Sequence, residues 1–259
     1  MIVRVLAVAA CAVAGAANAR VLEGPHGDLY LPEKVTAQTP KVLAIHGGGW
    51  RAYDRSSFAG VAEALSARGA IVYNIDYRLT PVAPWPACGD DCLAAAQYLS
   101  DYRKGELTDR IFTVGASAGG HLSLMTGLRF PREKVLGVVS ISGIADRSPD
   151  DKPHQERYAL LLKGVADPDA AFPLSLVRKG LPDVLLTHYY FDTVVPVKSP
   201  KNFESKMRDA GAYIETYYYD KGRANQGHGI WIKGSNPHRL YPDIEERIWR
   251  FIAPSSMWS

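Results

Sequence analysis

Short apolar runs recur along the chain at residues 41–45, 70–75, 111–114, 135–141 and 183–189, with a tyrosine-rich run at 213–219. Most are apolar at nearly every position rather than at every second one, which is the pattern of a strand covered on both faces. Between them lie stretches of helical length: about 57–68 closed by Gly69, 90–102 with an imperfect stripe of Leu93, Ala96 and Leu99, 118–128, 200–210 closed by Gly211, and 241–252. Strands that alternate with helices in this way predict an α/β fold, a mostly parallel central sheet flanked by helices. Residues 20–31, punctuated by Gly24-Pro25 and Gly27-Asp28, predict short edge strands. The alternation breaks from Asp146 to Gly180, where Pro149, Pro153, Pro168 and Pro173 surround one short helical piece at 155–162. This reads as a small insertion at the carboxyl ends of the strands, a place where loops commonly cover ligand sites.

At 259 residues, 47% hydrophobic and 22% charged, the chain has enough material for one sizeable core. The first 19 residues carry one basic residue, Arg4, an apolar stretch and then Ala17-Asn18-Ala19, small residues where a signal peptidase needs them. Residues 1–19 are therefore expected to be a secretory signal and 20–259 one domain, secreted or periplasmic. A lipoprotein box at Val8-Ala9-Ala10-Cys11 is the competing reading. The apolar stretch is too short for a stable membrane span. Without the leader the formal charge falls from +3 to +2, and no basic run interleaved with aromatics appears, so a nucleic-acid partner has nothing to rest on. Cys88 and Cys92, four apart, are either a local disulfide or two free thiols. No second Cys or His pair stands at ligand spacing, so neither a metal nor another cofactor is expected.

The candidate chemistry sits where strands end. The run from Ile111 delivers Ser117 into Gly115-Ala116-Ser117-Ala118-Gly119, a G-x-S-x-G turn whose small neighbours leave room for a side chain perched between strand and helix. The run 41–45 ends in His46-Gly47-Gly48-Gly49-Trp50, where three glycines let a backbone approach something closely, such as negative charge developing on a carbonyl oxygen. A serine hydroxyl needs a base, and that base, usually histidine, needs a carboxylate to orient it. Asp192, in Asp192-Thr193-Val194-Val195-Pro196, and His228, in Gly227-His228-Gly229, each follow a predicted strand. Asp146 also follows a strand and competes for the acid's role. His188 reads as a core histidine, His26, His154 and His238 as surface residues, Tyr217 to Tyr219 as sheet packing, and Asp76 as a partner of Arg78.

These motifs, with Asp76-Tyr77-Arg78-Leu79 and its following prolines, resemble the hormone-sensitive-lipase-like carboxylesterase branch of the alpha/beta hydrolases, over essentially all of residues 20–259. The resemblance implies Ser117 as nucleophile, Asp192 as orienting acid and His228 as general base, with the backbone N–H groups of Gly48, Gly49 and Ala118 as oxyanion hole. It implies a serine esterase acting on small-molecule esters with uncharged short acyl groups, or aryl or sugar esters. The same residues fit a serine peptidase or amidase, arylformamidases included. A binding protein on this fold would have lost a member of the set, and none is lost. Two departures concern the substrate pocket: Tyr190 stands where the family usually has glycine, and a large N-terminal cap is absent.

Overall fold

The computed structural model describes residues 20–147, 155–220 and 227–253; the leader, the Cys11 box and His154 lie outside them. The strands are β1 (Arg20–Gly24), β2 (Gly27–Leu31), β3 (Lys41–Ile45), β4 (Ile71–Ile75), β5 (Ile111–Ala116), β6 (Val135–Ile141), β7 (Asp183–Tyr189) and β8 (Ile214–Tyr219). They form one sheet in the order β1-β2-β4-β3-β5-β6-β7-β8. The β1–β2 hairpin joins antiparallel at one edge, through β2 on β4, and every later pairing is parallel.

The continuous apolar runs are explained by which way successive side chains point. In β3, Val42 and Ala44 pack on one face and Leu43 and Ile45 on the other; in β7, Leu185 separates Val184 and Leu186 in the same way. One face is covered by α1 (Ala59–Ala67) and α6 (Pro242–Ile252) through Val61, Leu65, Ile244 and Ile248. The other is covered by α2 (Ala87–Asp101), α3 (Ala118–Arg129) and α5 (Lys198–Asp209), through Leu99, Leu122, Phe203 and Met207. Because β3 to β8 run parallel, the segments after β3, β5, β6, β7 and β8 emerge on one edge, and these carry all the candidate residues, the competing acid Asp146 after β6 included.

Of the 146–180 segment, the described residues 155–180 are built into the body. Its helix α4 (Gln155–Leu161) and two 3-10 turns, Asp169–Ala171 and Pro173–Leu176, bury Tyr158, Leu161 and Phe172 in the core. Backbone bonds from Leu174 N–H to the Ala145 carbonyl (2.9 Å) and from Trp85 N–H to the Leu161 carbonyl (2.8 Å) tie it down. Two further pairs of side chains settle alternatives left by the sequence. Cys88 and Cys92 are free, buried thiols, and burial pushes Cys88 up to about 12, so both stay protonated at neutral pH. Asp76 pairs with Arg55, not with Arg78, which instead forks onto Asp91.

Candidate active site

Ser117 stands between β5 and α3 with φ 58° and ψ −122°, a conformation that non-glycine residues rarely adopt. Its N–H donates to the Ile141 carbonyl at the end of β6 (2.9 Å), and its carbonyl accepts from His121 N–H (3.1 Å). The flanking glycines are required by packing. A Cβ on Gly115 would lie 2.1 Å from the Gly119 carbonyl oxygen, and one on Gly119 would lie 2.1 Å from the Ile45 oxygen, so the helix can pass close across the end of β3 only with hydrogen at both positions.

The glycine loop is held as firmly. Gly48 and Gly49 have φ of 113° and 61°, and the Gly48 carbonyl accepts from Arg51 N–H and Ala52 N–H at 3.2 and 3.1 Å. No acceptor among the described residues takes the N–H groups of Gly48, Gly49 or Ala118. Tyr77 stacks on His46 (4.3 Å between centroids) and donates its hydroxyl hydrogen to the His46 carbonyl (3.1 Å), fixing the start of the loop. The loop's far end is anchored by Trp50, fully buried, whose indole N–H donates to His121 Nδ1 (3.2 Å). His121 Nε2 in turn donates to the Ala171 carbonyl (2.7 Å). One neutral imidazole thus joins the glycine loop, the helix after Ser117 and the 146–180 segment.

Asp192 is the acid that the structure brings to His228. Its Oδ1 accepts from the N–H groups of Val194 and Val195, both at 2.8 Å, and its Oδ2 lies 2.5 Å from His228 Nδ1. A carboxylate can only accept there, so Nδ1 carries a proton, and in the neutral imidazole it is Nε2 that keeps the lone pair. That Nε2 is buried and has no partner among the described residues. Asp146 is engaged elsewhere: its Oδ2 accepts from Asn202 Nδ2 (2.7 Å). His188, in the core as expected, donates Nε2–H to the Val195 carbonyl (2.9 Å).

Burial pushes His121 and His188 down to about 4, against 6.5 for an ordinary histidine. Well above pH 6.5 both are neutral whether the chain is folded or not. As pH falls from there towards 4 the unfolded chain takes up protons that the folded chain cannot, so stability declines, by about 2 kcal/mol per histidine at pH 5. Urea unfolding midpoints should therefore be clearly lower at pH 5 than at pH 7.5; equal midpoints would contradict the neutral, buried assignment.

Ser117 and His228 line one cavity of about 340 Å³ with Gly47, Gly48, Gly49 and Val194. Its remaining wall, which includes Arg51, Tyr53, Phe58, Arg157, Trp231 and His238, was not legible as such. His238, expected at the surface, is part-exposed and also stacks on Trp231 (4.7 Å, 12° between planes) at the cavity. The signal that could have found it is Trp231 and His238 standing in the loop that carries His228. Tyr190 is absent from that wall; its N–H donates to the Tyr219 carbonyl and its ring lies under Lys201 Nζ at 4.6 Å. The tyrosines of β8 serve packing and hydrogen bonding, Tyr217 to Asp243 and Tyr218 to Glu204, each 2.8 Å. No group of metal-binding side chains and no helix able to cross a membrane occurs among the described residues.

A sequence model of the family described as BD-FAE matches residues 27–207, from β2 into α5. The chain belongs to the BD-FAE family of alpha/beta hydrolases. Outside the family model, this BD-FAE protein is 28% identical to Esterase LipC of Mycobacterium tuberculosis over 198 residues, 67% of this chain and 49% of LipC. It is 30% identical to hormone-sensitive lipase of Bos taurus over 169 residues, 61% of this chain and 21% of the lipase. The chain thus spans half or less of the curated relatives it matches. Among solved structures, a truncated carbohydrate esterase from gut microbiota superposes with a TM-score of 0.72 at 24% identity, covering 87% of this chain and 88% of that one. The Est2 esterase of Thermogutta terrifontis, propionate bound, gives 0.72 at 21% identity, with 93% and 98% covered. At these identities the two structures speak for the fold.

Proposed function

We propose that this BD-FAE protein is an exported serine esterase that hydrolyses small carboxylic esters through an acyl-enzyme on Ser117. The observation that carries the reading is the 2.5 Å contact of His228 Nδ1 with Asp192, which leaves an unpartnered Nε2 in the cavity that Ser117 also lines. The esterase names of the relatives support it. His228 Nε2 takes the hydroxyl proton as Ser117 Oγ attacks the ester carbonyl, and the imidazolium is stabilised by buried Asp192. The tetrahedral oxyanion accepts from the free N–H groups of Gly48, Gly49 and Ala118, donors held in place before the reaction; losing one such donor costs about 2.7–4 kcal/mol of barrier. The intermediate collapses as the C–O bond breaks and His228 returns its proton to the departing alcohol. Water, deprotonated by His228, then attacks the acyl carbon, and the acid leaves as Ser117 Oγ regains its proton. A cavity of 340 Å³ suits a short acyl or aryl group better than a long lipid chain.

Mass spectrometry tests both halves of the reading. Expressed from Met1 in a Gram-negative host and recovered from the periplasm, the protein should begin at Arg20; cytoplasmic retention with residues 1–19 intact would overturn export. A phosphonate ester reagent should add once, on Ser117, with loss of p-nitrophenyl acetate and butyrate hydrolysis. Faster turnover of matched aryl amides than of those esters would replace esterase by amidase.

A further inference from the structure

The cavity wall carries charge that an uncharged ester does not use. Among its lining residues are two arginines, Arg51 and Arg157, and no aspartate or glutamate. Arg51 has a partner, Glu156, but at 3.5 Å between side chains 42% and 80% exposed, a pair of little strength. Arg157 has no carboxylate among the described residues. It projects from α4 onto the glycine loop: a methyl group placed on Gly49 would lie 3.1 Å from its Cδ, 3.4 Å from its Nε and 3.7 Å from its Cζ. A half-buried guanidinium therefore rests against the loop that would hold the oxyanion, in the same cavity as Ser117 and His228. The common alternative for a surface arginine, a solvated side chain paired at the rim, does not describe this position. The segment that brings it there is anchored through Tyr158 and Phe172 in the core, so the placement is built in.

We propose that Arg157 is a specificity residue that binds a carboxylate carried by the ester substrate, so that the preferred substrates are acidic esters. The inference rests on the esterase reading above. A guanidinium forks onto a carboxylate with two parallel hydrogen bonds and stays charged at every working pH. Because Arg157 touches the glycine loop, the carboxylate must be joined to the reacting ester by a short spacer. Phe58 and the Trp231–His238 stack supply apolar surface in the same cavity for a planar spacer. The cation also offsets repulsion between the substrate's own charge and the developing oxyanion, which a neutral side chain would leave in place.

Two substrate pairs test this, each pair matched in the ester that reacts. Monoethyl glutarate against ethyl pentanoate places the charge on the acyl side; 3-acetoxybenzoate against 3-acetoxybenzamide places it on the alcohol side. The parent enzyme should favour the anionic member of at least one pair, and the pair identifies the side. In Arg157→Gln the anionic-to-neutral ratio of kcat/KM for that pair should fall about tenfold to a hundredfold, chiefly through KM, with part retained in Arg157→Lys. Each ratio is taken on one preparation, so loss of folded enzyme cancels. No anionic preference in the parent, or a ratio that Arg157→Gln leaves unchanged, overturns the proposal. An equal loss on both members is such an unchanged ratio, and would assign Arg157 to the reaction common to all esters. Hydrolysis of the neutral esters without anionic preference removes this inference alone; hydrolysis of none of the four removes the esterase reading with it.

Discussion

Ser117→Ala is expected to hydrolyse p-nitrophenyl butyrate with a kcat at least about 10⁴-fold below the parent, leaving only what binding and the glycine-loop donors contribute. The size follows from what is removed: without Oγ there is no acyl-enzyme, and His228 Nε2 has only water to activate. The fold should survive, because the Ser117 backbone, not its hydroxyl, makes the local bonds to Ile141 and His121. The hydroxyl makes no hydrogen bond among the described residues, and a Cβ is retained. Ser117→Gly adds a second readout. At φ 58° and ψ −122° a glycine is released from steric strain of order 1–3 kcal/mol, so this variant should be as inactive as the alanine variant and unfold at higher urea. An alanine variant within tenfold of the parent would mean that the chemistry lies elsewhere, and a glycine variant less stable than the alanine one would contradict the strained turn.

The sheet was legible because its physics is local. A strand sandwiched between two helix layers must be apolar on both faces, and β3, β6 and β7 coincide with the runs that announced them. The helices agree to within a few residues at their ends, where the apolar stripe stops before the hydrogen bonding does; α2 begins at Ala87, ahead of the expected 90. That Ser117, Asp192 and His228 lie at one edge was legible for a different reason: in a parallel sheet every strand ends on the same edge, so three strand-end residues converge whatever their separation. Side-chain partners carry no such signal. Asp76 and Arg78 are two apart and opposite in charge, yet Asp76 faces Arg55 and Arg78 faces Asp91. Trp50 and His121 are 71 positions apart and bonded. Arg157 was invisible because it sits where the strand-helix alternation fails, and it is the burial of Tyr158 and Leu161 that seats α4 beside the cavity.

Asp192→Asn should cost kcat about 10⁴-fold while hardly changing stability, and the hydrogen bonds around Asp192 give the reason. The acceptor at Oδ1 is demanded by two backbone donors, Val194 N–H and Val195 N–H, so an asparagine must present its amide oxygen there. Its NH₂ is then forced into the place of Oδ2, facing His228 Nδ1 at what is now a 2.5 Å contact. Two N–H groups cannot point at each other; the imidazole accepts at Nδ1 and moves its proton to Nε2, the atom that must receive the serine's. The variant would retain every group of the site in nearly the same position and hold the base in the wrong tautomer. Hydroxide from solvent can take the serine's proton in place of the blocked imidazole, so activity should recover partly at high pH, where Ser117→Ala should not. The control is Asp146→Asn. Its carboxylate accepts from Asn202 Nδ2 and serves the 146–180 segment, so the activity change should be less than about threefold. Measured kcat–pH profiles of the two asparagine variants decide between the acids: a loss at Asp146 matching or exceeding that at Asp192 would transfer the orienting role to the end of β6 and break the link from Asp192 through His228 to Ser117.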